Sequence, residues 1–355
     1  MIVFFEMTRA CDLACVHCRA NAQEACDPGE LSPALARRLV DQLLSFPRPP
    51  LLVLTGGDPL KRADVFDLVE YSVGRGLATA MTPSATPLVT TEAIARLKDA
   101  GLHRLAVSLD GATAQTHDAF RKVAGSYART LSIIADAHCV RLPVQINTTV
   151  GRHNLHEFDE IAEIVANLGA VLWSVFFLVP TGRATADLRL SADECEAVFE
   201  KIWNLGRRRE VIAKTTEAPH YRRFVLQQVK QLRAKGGESP VLRRGVPPGQ
   251  IGTNDGKGVM FVSHVGEIFP SGFLPIACGQ FPLDAVVRVY RESALFRALR
   301  DADRLGGKCG ACEYKEICGG SRARSFALTG DPLAAEPDCA YNPPRYAKEA
   351  QVCSA

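Results

Sequence analysis

The chain has 355 residues, of which 47% are apolar and 23% charged, with a formal net charge of +3. That length exceeds the needs of one ordinary core, so two domains or a barrel with an appendage is expected. So small a charge excess excludes a polyelectrolyte role on nucleic acid or an anionic membrane, and no apolar run approaches transmembrane length.

The opening MIVFFEMTRACD lacks the basic segment and cleavage site of a secretion signal, so a cytoplasmic protein is expected. Within it, IVFFEM is a short continuous apolar run, the pattern of a strand buried on both faces. ACDLACVHCRA follows, with Cys11, Cys15 and Cys18 on one loop. LSPALARRLVDQLLSF then reads as a helix with Ser32 at the N-cap and Pro33 at the first helical position. LLVLTGG is a second buried strand and ADVFDLVEYSVGRG a helix stopped by glycine. LATAMT and LHRLAVSLDG continue the strands around the helix TTEAIARLKDAG. LPVQINTTV and AVLWSVFFLV complete six strands, separated by the helix LHEFDEIAEIVANLG. Alternation of this kind up to about residue 207 predicts an α/β fold, a parallel sheet curled into a full or partial barrel.

The pattern then changes. Residues 208–255 combine a basic helix, HYRRFVLQQVKQLRAK, with the loop GGESPVLRRGVPPGQIGTNDG and are expected to bridge two parts. Residues 256–355 open with GVMFVSHVGEIFPSG, a hairpin turning at Gly266, and carry a second cysteine group. Neither an internal repeat nor a low-complexity tract is present.

Twelve cysteines are many for a reducing compartment, where clustered thiols serve metals or catalysis rather than disulfides. C-x3-C-x2-C places three thiolates around one corner of a cubane, a ligand set that iron–sulfur clusters normally complete with a fourth. Zinc would also take four ligands, or three and a water. His17 is a possible fourth, although ligation beside Cys18 is awkward, and a purely structural set of thiols is the remaining alternative. Cys309, Cys312, Cys318 and Cys339 form a complete set of four, for which iron–sulfur and zinc both remain open. Cys26, Cys139, Cys195, Cys278 and Cys353 stand apart and read as structural or incidental thiols.

The first motif resembles that of the radical S-adenosylmethionine (SAM) enzymes, with His17 where most members have another aromatic residue. The resemblance implies a partial (β/α)6 TIM-like barrel whose [4Fe-4S] cluster is held through three irons. The fourth iron takes SAM, and an electron cleaves SAM to methionine and a 5′-deoxyadenosyl radical that abstracts hydrogen from substrate. It also implies a reduced ferredoxin- or flavodoxin-type electron donor. TGGDP, with Gly56, Gly57, Asp58 and Pro59, stands where the family has its glycine-rich SAM motif. Ser108 and Asp110 of SLDG, and Arg121, resemble positions near the SAM carboxylate and ribose. Asn147 at the end of the fifth strand, and Gly182 and Arg183 after the sixth, look like ribose and adenine contacts.

The second group resembles the C-terminal SPASM or twitch extension, a small iron–sulfur domain. Arg322 stands where full SPASM domains have a further cysteine, so one auxiliary [4Fe-4S] cluster is expected, with Cys278 left spare. EMTRACDLACVHCRA, LTGGDPL and CEYKEICGGSRARSFALTGDPLAAEPDC look like the radical SAM enzymes of haem d1 and alternative haem biosynthesis. That implies a tetrapyrrole substrate, oxidatively decarboxylated at propionate side chains. His220 could then ligate a porphyrin iron while Arg222 and Arg223 grip propionates. Maturation of a ribosomal peptide is the alternative; its relatives often begin with a peptide-binding module, for which a strand at residue 2 leaves no room. A non-catalytic iron–sulfur carrier is a third reading, but it would not need TGGDP, SLDG or GRA at strand ends.

Overall fold

The computed structural model describes residues 1–208, 211–236 and 252–347. The six strands expected from the apolar runs are β1 (Ile2–Glu6), β2 (Leu51–Thr55), β3 (Thr79–Met81), β4 (Arg104–Ser108), β5 (Val144–Val150) and β6 (Leu172–Phe177). Neighbouring members pair in parallel in that order. Their crossovers are α1 (Pro33–Leu43), α2 (Val65–Gly74), α3 (Thr91–Asp99), α4 (Ala114–Arg121), α5 (Ser126–Cys139) and α6 (Phe158–Asn167). Side-chain caps start three of them: Ser32 accepts from the Leu35 amide, Thr90 from Ala93 and Thr113 from Thr116.

The sheet is wider than six strands. After α7 (Ala192–Arg208), β7 (Ala213–Thr216) adds parallel to β6, within the stretch read as a bridge. AKTT has no apolar run, which is why periodicity does not reveal it. α8 (His220–Ala234) is the basic helix that the sequence indicates. The expected hairpin exists as β8 (Val259–Val262) and β9 (Glu267–Phe269), with Gly266 at φ +92° in its turn. Its first strand also pairs parallel to β1, and β10 (Gly279–Gln280) adds to β9. One ten-stranded sheet results, with β10 and β7 at its two edges.

Alternate residues on each strand face the covering helices. Val3, Phe5, Leu52, Leu54, Leu105, Val107, Val144, Ile146, Trp173 and Val175 join the helices in one buried core. The opposite residues line the concave side of the sheet. α9 (Val286–Glu292) packs on α1, and α10 (Ala294–Arg300), α11 (Gly307–Gly310) and α12 (Arg322–Thr329) follow it.

Candidate active site

The loop carrying Cys11, Cys15 and Cys18 leaves the C-terminal end of β1, the end of a parallel sheet at which α/β sites form. It is tied down by backbone. Cys11 N donates to Gln23 O at 2.7 Å, Val16 N to Phe120 O at 2.9 Å and Asp58 N to Ala10 O at 2.7 Å. The three thiols pack together with Leu13, Ala22 and Val123, and no fourth cysteine joins them among the described residues. Cys11 Sγ lies 3.2 Å from Ser84 Oγ, and burial pushes that thiol's pKa up. Arg121 Nη1 donates to Cys15 Sγ at 3.6 Å, and the Ala22 amide to Cys18 Sγ at 3.4 Å. Three loop thiols with nearby donors fit a cluster that leaves one metal site for a small ligand. His17 does not join them as a ligand would. Its ring stacks on Phe120 at 4.2 Å, and His153 covers the other face of Phe120 at 3.7 Å. Burial, with Arg121 nearby, holds His17 neutral, its pKa lowered to about 3.

Of the residues singled out at strand ends, Gly56, Gly57, Asp58, Gly182 and Arg183 meet this loop directly. Gly57 N donates to Thr8 O at 2.8 Å, and a Cβ on Gly57 would lie 2.3 Å from Ala10 O. A Cβ on Gly56 would lie as close to Thr8 O, at 2.4 Å. Asp58 is buried, with its carboxylate accepting from Leu60 N at 3.2 Å and Thr86 Oγ1 at 2.6 Å, and Pro59 opens the short turn that follows. Gly182 has φ +67° and packs against Cys18 O. Arg183 donates from its amide to Cys18 O at 3.0 Å and from Nε to Cys15 O at 2.9 Å.

Asp110 and Arg121, both nominated for SAM, form a buried ion pair with each other. Asp110 also accepts from Thr149 N at 2.6 Å. Burial raises its pKa, but Arg121 overcomes that and leaves it below the usual range. Ser108 ends β4 and pairs in register with Asn147, which lies in the middle of β5 rather than at its end. The side chain of Asn147 accepts from Gln145 Nε2 at 2.6 Å.

The second cysteine group is assembled around a small cavity. Cys309, Cys312, Cys318 and Cys339 line it with His220, Arg223, Lys308, Lys315, Glu336 and Tyr341. Among the described residues, no three His, Cys, Asp or Glu side chains gather tightly enough for a single ion. The thiols stand around the cavity instead. Burial pushes the Cys312 thiol up to about 11 and Cys318 up to about 12. Thiols so buried carry thiolate charge only when a metal compensates it, so the donor set fits a cluster. The Glu336 amide donates to Cys309 Sγ at 3.2 Å, and Tyr314 N to Cys312 Sγ at 3.4 Å. Arg322, at the position of the missing cysteine, is buried and donates to Pro332 O at 3.1 Å and Ala334 O at 2.6 Å. Cys278 packs against the main core, Cys26 and Cys139 are exposed, Cys195 is buried, and Cys353 lies outside the described residues.

The three residues assigned to substrate have other surroundings. His220 is fully buried against Phe199 and lines the four-thiol cavity, and neither ring nitrogen has a hydrogen-bond partner among the described residues. Arg223 pairs with Glu196, and Arg222 donates to Ile317 O at 3.0 Å and to Thr253 O at 2.6 Å. Both guanidinium groups are therefore already engaged. Sequence reasoning missed Ser84, Phe120, His153 and the Glu6–Arg19–His264 cluster. Ser84, a polar residue just after a buried strand, was the detectable one.

A helix-covered parallel sheet with three loop thiols at its C-terminal edge defines a cluster-dependent barrel enzyme. The model of the Radical SAM superfamily matches residues 5–165, and the chain belongs to that superfamily. It is an enzyme, and the superfamily uses a [4Fe-4S] cluster and SAM. Over 342 residues it is 40% identical to the AdoMet-dependent heme synthase of Methanosarcina barkeri, covering 96% of this chain and 97% of that protein. Mycofactocin maturase MftC of Mycobacterium tuberculosis is 29% identical over 97% of this chain and 84% of its own length. The fold is shared with Streptococcus suis SuiB, solved bound to precursor peptide SuiA. That match has a TM-score of 0.72 at 16% identity, covering 96% of this chain and 76% of that one. Among the described residues, no helix is long and apolar enough to cross a membrane.

Proposed function

We propose that this enzyme removes carboxyl groups oxidatively from propionate side chains of a tetrapyrrole. The observation that carries this reading is the identity to the Methanosarcina barkeri heme synthase, which runs through nearly the full length of both chains. Cys11, Cys15 and Cys18 would hold the SAM cluster. Bound there, cluster and SAM supply a 5′-deoxyadenosyl radical. SAM would lie over the C-terminal side of the sheet by Ser108 and Asn147, against the segments of Gly56–Pro59 and Gly182–Arg183. The propionate gives up one hydrogen atom, one CO2 and one electron, leaving a vinyl group. The hydrogen ends on 5′-deoxyadenosine, and the electron goes to a one-electron acceptor.

Cys309, Cys312, Cys318 and Cys339 would hold one auxiliary [4Fe-4S] cluster through all four irons, leaving no iron open for SAM. Arg121 and Arg183 keep the first cluster loop in place. A ferredoxin- or flavodoxin-type donor supplies the electron that starts the reaction. A cytoplasmic location suits so many reduced thiols.

The test is anaerobic incubation of the reconstituted enzyme with iron coproporphyrin, SAM and a reductant, followed by mass spectrometry. Loss of one or two carboxyl groups matched by 5′-deoxyadenosine supports the reading; deoxyadenosine without any change in the porphyrin overturns it. Cys312→Ala is expected to retain SAM cleavage while losing most porphyrin turnover. A Cys312→Ala enzyme that processes porphyrin normally would remove the auxiliary site from the reaction.

A further inference from the structure

The concave side of the sheet holds two cations with no counter-charge among the described residues. Arg104 at the start of β4 and Lys214 in β7 face away from the helical core, since their neighbours Leu105 and Ala213 pack into it. β4 and β7 are three positions apart in the sheet, with both cations on the same face of it, and the Arg104 charge acts on Lys214. Neither has an ion pair among the described residues, and Arg104 Nε is buried with no hydrogen-bond partner. Burial, then Arg104, lowers the Lys214 pKa to about 8.

Two partly buried cations that repel each other cost stability unless a ligand offsets the cost. Their surroundings are polar on the same side. Gln145 donates to Asn147, and Ser174 and Thr216 share a hydrogen bond at 2.9 Å. Phe4, Val53 and Ala80 line the apolar part of the concave face. An apolar wall with two cations beyond its edge suits a flat apolar molecule bearing carboxylates at its rim. Arg104 is four residues before Ser108 on β4, about 13 Å at the usual rise of a strand. Carboxylates on opposite sides of a macrocycle can occupy both levels at once.

We propose that Arg104 and Lys214 form a carboxylate clamp inside the barrel, holding one propionate of the substrate while another is presented at the strand ends. This rests on the tetrapyrrole reading. It gives Arg104 and Lys214 the gripping role that sequence reasoning assigned to Arg222 and Arg223. Arginine supplies a forked donor pair and lysine a compact charge, a combination suited to one carboxylate.

The test is anaerobic titration of the cluster-loaded enzyme, read by the Soret band, with iron coproporphyrin and with its tetramethyl ester. The wild type is expected to prefer the free acid by about tenfold or more, as charge-assisted hydrogen bonds imply. Lys214→Met and Arg104→Met are each expected to lose most of that preference through weaker binding of the acid. Lys214→Arg, which keeps a cation, is expected to retain it, and still tests the site if Lys214→Met does not fold. If the wild type prefers the acid and both methionine variants prefer it equally, the clamp is overturned while the tetrapyrrole reading survives. If the wild type binds neither acid nor ester, the tetrapyrrole reading falls and the clamp falls with it.

Discussion

His264, just beyond β8, has a carboxylate at each ring nitrogen. Nδ1 meets Glu6 at 2.8 Å and Nε2 lies 3.7 Å from Asp27, while Arg19 shares Glu6 and Arg9 acts in opposition. Burial alone would lower the imidazole pKa, but Glu6 and then Asp27 outweigh it and leave it above the ordinary value. A histidine whose pKa is raised on folding contributes its full stability below the unfolded value of about 6.5. That contribution fades as pH rises through the higher folded value. Urea midpoints are therefore expected to fall across that window in the wild type, and to fall less in His264→Gln, which retains a side-chain amide but cannot titrate. Equal slopes in the two proteins would mean that the imidazole stays in one protonation state on folding. None of this cluster was legible from sequence. Glu6 and His264 are far apart along the chain, and the pairing of β8 with β1 brings them together, while the loop before α1 adds Asp27. His220 shows the converse: its residue type drew notice, but its place beside the four thiols depended on packing that no local pattern encodes.

Among elements, the cysteine loop depends on glycines that were legible as a motif but not as a mechanism. Reading TGGDP and GRA as ligand contacts followed from their position after buried strands. The structure adds that Gly57 and Gly182 let two other strand ends press against the loop's carbonyls. Gly182→Ala would place a Cβ 2.3 Å from Cys18 O at φ +67°, so strain and clash coincide. Gly76→Ala, at φ +90° with open space around it, imposes backbone strain alone. Iron analysis after anaerobic reconstitution is expected to show Gly182→Ala losing about half its iron, the amount in one of two four-iron clusters. Gly76→Ala is expected to keep all of it. Similar iron contents in both variants would dissociate the glycine from the loop. The strands behind these loops were readable wherever they are continuously apolar, as in LLVLT. β7 was not, because Lys214 and Thr216 point to the polar side of the sheet and break the pattern.

At the scale of the molecule, Arg324 joins the second cysteine group to the end of the sheet. This fully buried guanidinium pairs with Glu336 and Asp338, each at 3.1 Å, and donates to Phe177 O at 3.1 Å and Glu217 O at 2.8 Å. The first carbonyl ends β6 and the second follows β7, while the amide of Glu336 reaches Cys309 Sγ at 3.2 Å. One side chain thus connects the rim of the sheet to a residue that touches the second thiol set. Burial would raise the Glu336 pKa, yet Arg324 brings it down to about 2, so the carboxylate is charged and relies on its partner. Removing one member of such a buried set leaves uncompensated charge, a loss of about 3–5 kcal/mol. Arg324→Met is expected to lower the anaerobic urea stability by that amount. Adding Glu336→Gln and Asp338→Asn to Arg324→Met should recover part of the loss, because the stranded charges are then gone. A triple variant no more stable than Arg324→Met would mean that the arginine acts through its carbonyl contacts with the sheet rather than through its ion pairs.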